Sequence, residues 1–187
     1  DLFGCAVAID GNTVVIGAYK DDDGGSNSGS AYVFRTTDGG ATYGQVAKLT
    51  ADDAVAGDVF GSSVAIDGDT VAISGGDSVY IFRTTDGGGT WSQVEKLAAS
   101  DGVSIGRPAI SGDVVVAGAA GDDSVATDAG SVYVFRTSDG GATYGQVAKL
   151  TGDDGATFAQ WAYFGASVAI SGVRIVVGAY KDDDAAG

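Results

Sequence analysis

Apolar residues in this chain fall in short runs of about four to seven, rich in Val, Ala, Ile, Tyr and Phe, with no sustained helical period. Early in the chain the pattern predicts four β-strands, at residues 5–9, 13–19, 30–36 and 44–50. The second and third strands are apolar on both sides, so both sides must be covered. The fourth strand, "YGQVAKLT", is more polar and suits an outer edge, where lysine discourages edge-to-edge pairing. The pattern therefore predicts an all-β fold.

The same strand pattern recurs along the chain and predicts a repeat architecture. The repeats begin with similar segments and cover residues 3–59, 60–104, 105–163 and 164–187, the last being incomplete. The second repeat is shorter because "GGDSVYIF" replaces the long acidic stretch, which places that stretch in a surface loop. Four-stranded antiparallel sheets covered by neighbouring copies describe the blades of a β-propeller. We expect residues 1–187 to form one propeller segment with three complete blades and half of a fourth, and an open β stack is the alternative.

The first and fourth repeats begin with the same pair of motifs. "FG" at Phe3 and Phe164 is followed roughly a dozen residues later by "GAY", at 17–19 and 178–180. This pattern resembles the FG-GAP repeat of integrin α-chain propellers and of many secreted algal and bacterial proteins. The second repeat has "ISGG" in place of the second motif, and Ile105 replaces the phenylalanine in the third. Integrin-type repeats often carry a calcium loop between their first two strands, but here that connection is too short to wrap a cation.

A second motif lies between the third and fourth strands of each complete repeat. The segments "TTDGGATY", "TTDGGGTW" and "TSDGGATY" are similar to the Asp-box found on hairpins of sialidase-like and other propellers. In this pattern the carboxylates of Asp38, Asp86 and Asp139 are expected to accept hydrogen bonds from turn N–H groups, while the aromatic residue packs the hairpin down. We interpret these aspartates as structural turn residues, because the motif occurs in enzymes and non-enzymes alike.

The composition argues against several classes of partner and of catalytic site. The net charge of −15 would repel nucleic acid and anionic membrane surfaces, and no apolar run approaches the length of a membrane-spanning helix. The sequence has no histidine and a single cysteine, which argues against zinc and triad chemistry. We expect Cys5 to be a buried strand residue, unless it pairs with a residue outside this segment. Arg35, Arg83 and Arg136 recur once per blade and are interpreted as scaffold residues paired with local aspartates.

Acidic loops are the candidate ligand sites. Clustered carboxylates can bind calcium, which takes six to eight oxygen ligands, but "DDD" lacks the alternate spacing of a wrapped loop. A solvated acidic turn is therefore the leading interpretation, and a site for calcium or another divalent cation is the alternative. The candidate ligands are Asp21, Asp22 and Asp23 in the first repeat, Asp122, Asp123 and Asp128 in the third, and Asp182, Asp183 and Asp184 in the fourth.

These observations favour a non-catalytic extracellular or cell-surface propeller that serves adhesion, recognition or structural assembly. Its expected partners are proteins, glycans, or further copies or segments of the same assembly, with no cofactor other than the calcium considered above. One alternative is a lectin-like propeller that binds carbohydrate through aromatic residues such as Trp161. The other is part of a secreted hydrolase whose catalytic residues lie outside this segment. We also expect the segment to belong to a large secreted or cell-surface protein whose ring is closed by sequence or chains outside this stretch.

Overall fold

A computed structural model describes residues 1–152 and 162–181 of the chain. The described residues form β1 (Val7–Asp10), β2 (Thr13–Ala18), β3 (Ser30–Arg35), β4 (Gly44–Leu49), β5 (Val64–Asp67), β6 (Thr70–Gly75), β7 (Ser78–Arg83), β8 (Ser92–Leu97), β9 (Gly106–Ser111), β10 (Val114–Ala119), β11 (Ser131–Arg136), β12 (Gly145–Leu150), β13 (Ser167–Ser171) and β14 (Arg174–Gly178). This part of the chain contains no helix that could cross a membrane. The prediction of an all-β fold is confirmed.

The strands form blades in chain order. Strands β1 to β4, β5 to β8 and β9 to β12 each make a four-stranded antiparallel sheet in which every strand pairs with its neighbour in sequence. Strands β13 and β14 make a two-stranded hairpin. These sheets are the three blades and the half-blade that the repeats predict, and each sheet lies within one predicted repeat.

The core lies between adjacent blades. Every residue of β6 and β10 is buried, because these strands are the second strands of blades flanked on both sides. One apolar cluster joins Val15 and Val33 of the first blade to Val71 and Ile73 of the second. Blade-to-blade packing therefore covers both surfaces of the middle strands, as their unbroken apolar pattern predicts.

The "FG" pair of one repeat docks against the glycine of the preceding blade. Phe60 is fully buried, and its ring meets those of Tyr80 and Phe82 edge-on with centroids 5.5 and 5.9 Å away. A Cβ atom added to Gly17 would overlap the carbonyl oxygen of Gly61, so the two backbones touch where only glycine fits. The same approach joins the third blade to the half-blade, at Gly118 and Gly165. The glycine of the second motif in one blade thus contacts the "FG" pair of the next blade.

The contact between the second and third blades lacks the close approach of two glycines described for the other blades. Ser74 occupies the strand position that glycine holds in the first and third blades, and the loop after it is reduced to a turn at 76–77. Gly106 does not adopt the positive φ of about 90° found at the other "FG" glycines, such as Gly61 with a φ of 88°. Strand β9 extends to Gly106 instead, so the tight "FG" turn is absent from this blade.

The blades present two different ends to solvent. We call one end the loop face, which carries the β2–β3-type loops (19–29, 76–77 and 120–130) and the connections between blades. We call the other end the hairpin face, which carries the β1–β2-type turns and the Asp-box hairpins.

The expectation for Cys5 is wrong. This residue lies before β1 and is exposed, and its Sγ lies 3.4 Å from the carbonyl oxygen of Gly61. The "FG" pair forms a turn ahead of the first strand, so the side chain that follows it is outside the sheet.

Candidate functional site

The first acidic loop directs one of its three aspartates inward. Asp21 is only 6% exposed, and its Oδ2 accepts hydrogen bonds from Ser30 Oγ at 2.7 Å and Tyr32 Oη at 2.8 Å. Lys48 of β4 completes the shell with its Nζ 2.9 Å from the same oxygen, and its ammonium group also pairs with Asp23. A lysine therefore occupies the position at which a cation would meet these carboxylates.

The third blade repeats this arrangement more deeply. The side chain of Asp122 is 1% exposed, and its Oδ2 lies 2.7 Å from Lys149 Nζ and 2.5 Å from Ser131 Oγ. Lys149 also pairs at 2.8 Å with Asp101, which lies on the connection from the second blade. The Asp101 carboxylate accepts the Tyr133 hydroxyl at 2.9 Å. Lys149 thus links the β10–β11 loop of its own blade, through Asp122, to the connection between the second and third blades, through Asp101.

The second blade keeps only half of the network. Its shortened loop has no counterpart of Asp122, so Lys96 pairs at 2.6 Å with Asp53 alone, and both side chains are well exposed at 43% and 50%. Each lysine also lies over the tyrosine ring opposite it in the sheet, at 5.1 to 5.3 Å from the ring centroid in all three blades. The lysine–tyrosine–aspartate group is therefore a repeated element of the blade.

The ion pairs shift the acid–base equilibria of both partners. Burial alone would raise the pKa of Asp122, but the Lys149 ammonium and the hydroxyl and N–H donors around it lower that pKa to about 2. The pKa of Asp21 is likewise lowered by Lys48, Ser30 and Tyr32 against the effect of burial. Although burial disfavours their charged form, contacts with the aspartates raise the pKa values of Lys48 and Lys149. All four groups are charged at neutral pH.

The remaining candidate ligands point in other directions. Asp22 and Asp123 are exposed and accept the backbone N–H groups of Asn27 and Asp128, each at 2.7 Å. These hydrogen bonds hold residues with φ of 54° and 51°, so the two carboxylates shape their loops. Three predicted ligands, Asp182, Asp183 and Asp184, lie outside the described residues, as does Trp161.

The described loops do not assemble a metal site. Across residues 1–152 and 162–181, no three acidic or cysteine side chains are grouped so that they could hold a metal ion. The solvated-turn interpretation is wrong for Asp21 and Asp122, which are buried and paired with lysine. Sequence reasoning missed Lys48, Lys96 and Lys149. A signal for them existed, because each lysine and a tyrosine recur once per repeat at positions that face each other across the outer strand pair.

In the hairpins with Asp-box-like segments, the aspartates accept hydrogen bonds within their own turns, whereas the aromatic residue of the first hairpin, Tyr43, is 44% exposed. The Asp86 carboxylate accepts the N–H groups of Gly89 at 2.9 Å and Thr90 at 3.0 Å, together with the hydroxyls of Thr84 and Thr90. Asp38 and Asp139 make the equivalent contacts in their own hairpins. These hydrogen bonds lower the pKa of all three aspartates, which are thereby committed to turn structure.

Within residues 1–152 and 162–181, the recurring arginines do not pair with local aspartates, contrary to expectation. Arg35 donates instead to the carbonyl oxygen of Gly87 in the next blade's Asp-box hairpin, and Arg83 donates to Gly140 in the same way. A Cβ atom at Gly88 would lie 2.9 Å from the Arg35 side chain, so the motif's second glycine makes room for the arginine. The Asp-box hairpin therefore also joins neighbouring blades.

Comparison with known proteins agrees with this architecture. The model of the FG-GAP repeat matches residues 1–34, 43–82, 108–135 and 144–187. The chain belongs to the FG-GAP repeat family. No curated protein matches the sequence. Among solved structures, the crystal structure of Saccharomyces cerevisiae Sqt1 is similar, with a TM-score of 0.53 at 13% identity, covering 80% of this chain and 36% of the Sqt1 chain. That likeness supports the propeller fold alone, and this chain spans about a third of the solved one.

Proposed function

We propose that this FG-GAP propeller segment is a non-catalytic recognition module of an extracellular or cell-surface protein, and that it binds protein or glycan partners through its loop face. The observation that carries the proposal is where the blades differ. The hairpin face repeats one Asp-box in all three complete blades, whereas the corresponding loops of the loop face span 19–29, 76–77 and 120–130. Variable loops on a rigid sheet scaffold are the usual location of binding residues.

Charge on the loop face indicates the kind of protein partner. Asp22, Asp52, Asp53, Asp101 and Asp123 are all exposed there, and only some of them are paired with lysine. Exposed carboxylates on a chain of net charge −15 attract a basic surface and repel an acidic one. The buried Asp21 and Asp122 are neutralised within the scaffold and take no part in this attraction.

A charge-matched pair of variants tests this proposal. D52N/D123N removes two charges from the loop face, and D69N/D113N removes two from exposed positions on the hairpin face. Both would be measured against a panel of immobilised basic extracellular-matrix proteins and glycans at physiological salt. Weaker binding by the first variant alone supports the loop face as the recognition surface.

Three results would contradict the proposal. Equal loss of binding in both variants would mean that only total charge matters, and binding to no member of the panel would remove the recognition role. Turnover of fluorogenic glycosides by the purified chain would contradict a non-catalytic module.

A further inference from the structure

A cleft of about 440 Å³ opens on the loop face between the second and third blades. Its walls come from the start of β5, the end of β6, the connection into β9 and the end of β10, and they include Ser62, Ser74, Ser104, Arg107 and Ala120. Its volume falls in the range of small-molecule sites. The cleft lies where the repeat pattern breaks.

Three departures from the repeat create this space. The loop that covers the corresponding place in the first blade, residues 19–29, is reduced here to the turn at 76–77. The "FG" turn is missing from the third blade, as described above. Ala120 and Gly121 stand where the first repeat has Tyr19 and Lys20. The shortened loop and the two small residues leave little bulk at this end of the second and third blades, and the missing turn changes the course of the connection that forms one wall.

The polar lining differs from the rest of the loop face. No acidic residue lines the cleft, although the chain contains 25 of them. Two carboxylates lie just outside the walls: a Cβ atom at Gly76 would be 3.4 Å from Asp58 Oδ1, and one at Gly121 would be 3.5 Å from Asp128 Oδ1. The other oxygen of Asp58 accepts the Val55 N–H at 2.8 Å. The hydroxyls of Ser62 and Ser74 lie 3.0 Å apart. The walls themselves thus offer hydroxyl groups, and the two carboxylates lie behind glycines of the wall.

Arg107 supplies the positive charge. Its guanidinium forms no ion pair or hydrogen bond with any other residue in the part of the chain that the structure describes. Its backbone has a φ of 47° directly before Pro108, in a region that L-residues with a Cβ adopt at an energetic cost. A register shift between β9 and β10 follows at the same point, between Val116 and Gly118. Such irregularities re-aim side chains at the ends of strands.

We infer that this cleft binds a small hydroxylated carboxylate, such as a sugar acid, free or at the end of a glycan chain. Arg107 would pair with the carboxylate in a charge-assisted contact, and Ser62, Ser74 and Ser104 would hydrogen-bond the ligand hydroxyls. The inference rests on the proposed role of the loop face in recognition and assigns a separate ligand class to this cleft, whose walls carry Arg107, unlike the acidic loops around it. A neutral sugar lacks the group that Arg107 recognises.

Titration calorimetry on the whole chain tests the inference, with D-glucuronate and D-galacturonate as probes. Glucose and galactose are the neutral counterparts. An oligogalacturonide distinguishes binding of a free sugar acid from binding of one at the end of a glycan chain. We expect at least one uronate probe to bind and the neutral sugars to bind about tenfold more weakly or not at all. R107Q should weaken uronate binding about tenfold or more, whereas R136Q, which alters another exposed arginine outside the cleft, should not.

Two further variants make the test independent of the arginine. A120Y restores the bulk of the first repeat and should abolish binding, and S74G restores the repeat's glycine and should weaken binding by removing a hydroxyl. Circular dichroism would verify that each variant folds. If A120Y does not fold, S74G alone provides the test that is independent of the arginine. Absence of uronate binding, equal binding of neutral sugars, or equal effects of R107Q and R136Q would overturn the inference. None of these results would affect the charge comparison for the loop face as a whole.

Discussion

Asp122 should be the most costly of the loop aspartates to alter. The substitution D122N keeps the shape of the side chain and removes its charge. In the folded protein that charge lies 2.7 Å from Lys149 Nζ, in a side chain that is 1% exposed. It also accepts hydrogen bonds from Ser131 Oγ at 2.5 Å and from the Ser124 hydroxyl and N–H at 3.0 and 2.9 Å. The variant therefore leaves part of a buried polar network without its anion.

The expected loss in free energy of unfolding is about 3 kcal/mol. Removing one partner of a buried ion pair costs roughly 3–5 kcal/mol, because the other charge stays buried without compensation. We expect the lower end of that range because Lys149 is 23% exposed and retains Asp101 as a second partner. The second blade offers a matched control in D53N, since its exposed pair with Lys96 should contribute only about 0.2–1 kcal/mol.

Urea denaturation of both variants and the unaltered chain, followed by tryptophan fluorescence and circular dichroism, would measure the two losses. The difference between them isolates the effect of burial, because both substitutions remove one carboxylate charge facing a lysine. If D122N and D53N destabilise the chain equally to within about 0.5 kcal/mol, a resolvable difference on the scale of point mutations, the account of a buried network is wrong.

Acid should destabilise the chain through the same group, because Asp122 has a folded-state pKa lowered to about 2 while an unfolded aspartate has a pKa of about 3.9. Its contribution of about 2 kcal/mol should be complete above about pH 5 and be lost as the pH falls to about 2, and D122N should abolish this loss in pH-dependent melts. G17A should lower the free energy of unfolding by about 3 kcal/mol in the same urea assay, because the added methyl overlaps the backbone of the next blade. G44A is the control, since its methyl meets open space and should lower that free energy by less than about 1 kcal/mol. R83M should lower the free energy of unfolding by about 1–2 kcal/mol, because it breaks the hydrogen bond to the next Asp-box hairpin. Arg136 is exposed and unpaired among the described residues, so R136M should change that free energy little, and equal effects of the two variants would contradict a blade-to-blade role.

The blades could be predicted from the sequence because their determinants are local. A run such as "TVVIGAY" specifies a strand covered on both sides, and "DG" specifies the tight turn before it. Predicted strands at 5–9, 13–19, 30–36 and 44–50 correspond to β1 to β4 with small differences at their ends. The Asp86 hairpin was predictable for the same reason, since its carboxylate bonds to N–H groups three and four residues further along.

Only the tertiary structure decided which charged groups meet between blades. Arg83 was expected to pair within its own blade, but it reaches Gly140, 57 residues away, and Lys149 meets Asp101 across 48 residues. The cleft beside Arg107 likewise depends on changes in two repeats that meet in space. The spacing within a repeat determines local turns and strands, because backbone geometry acts over a few residues. The packing of one blade on the next determines which side chains are buried and which charge each one meets.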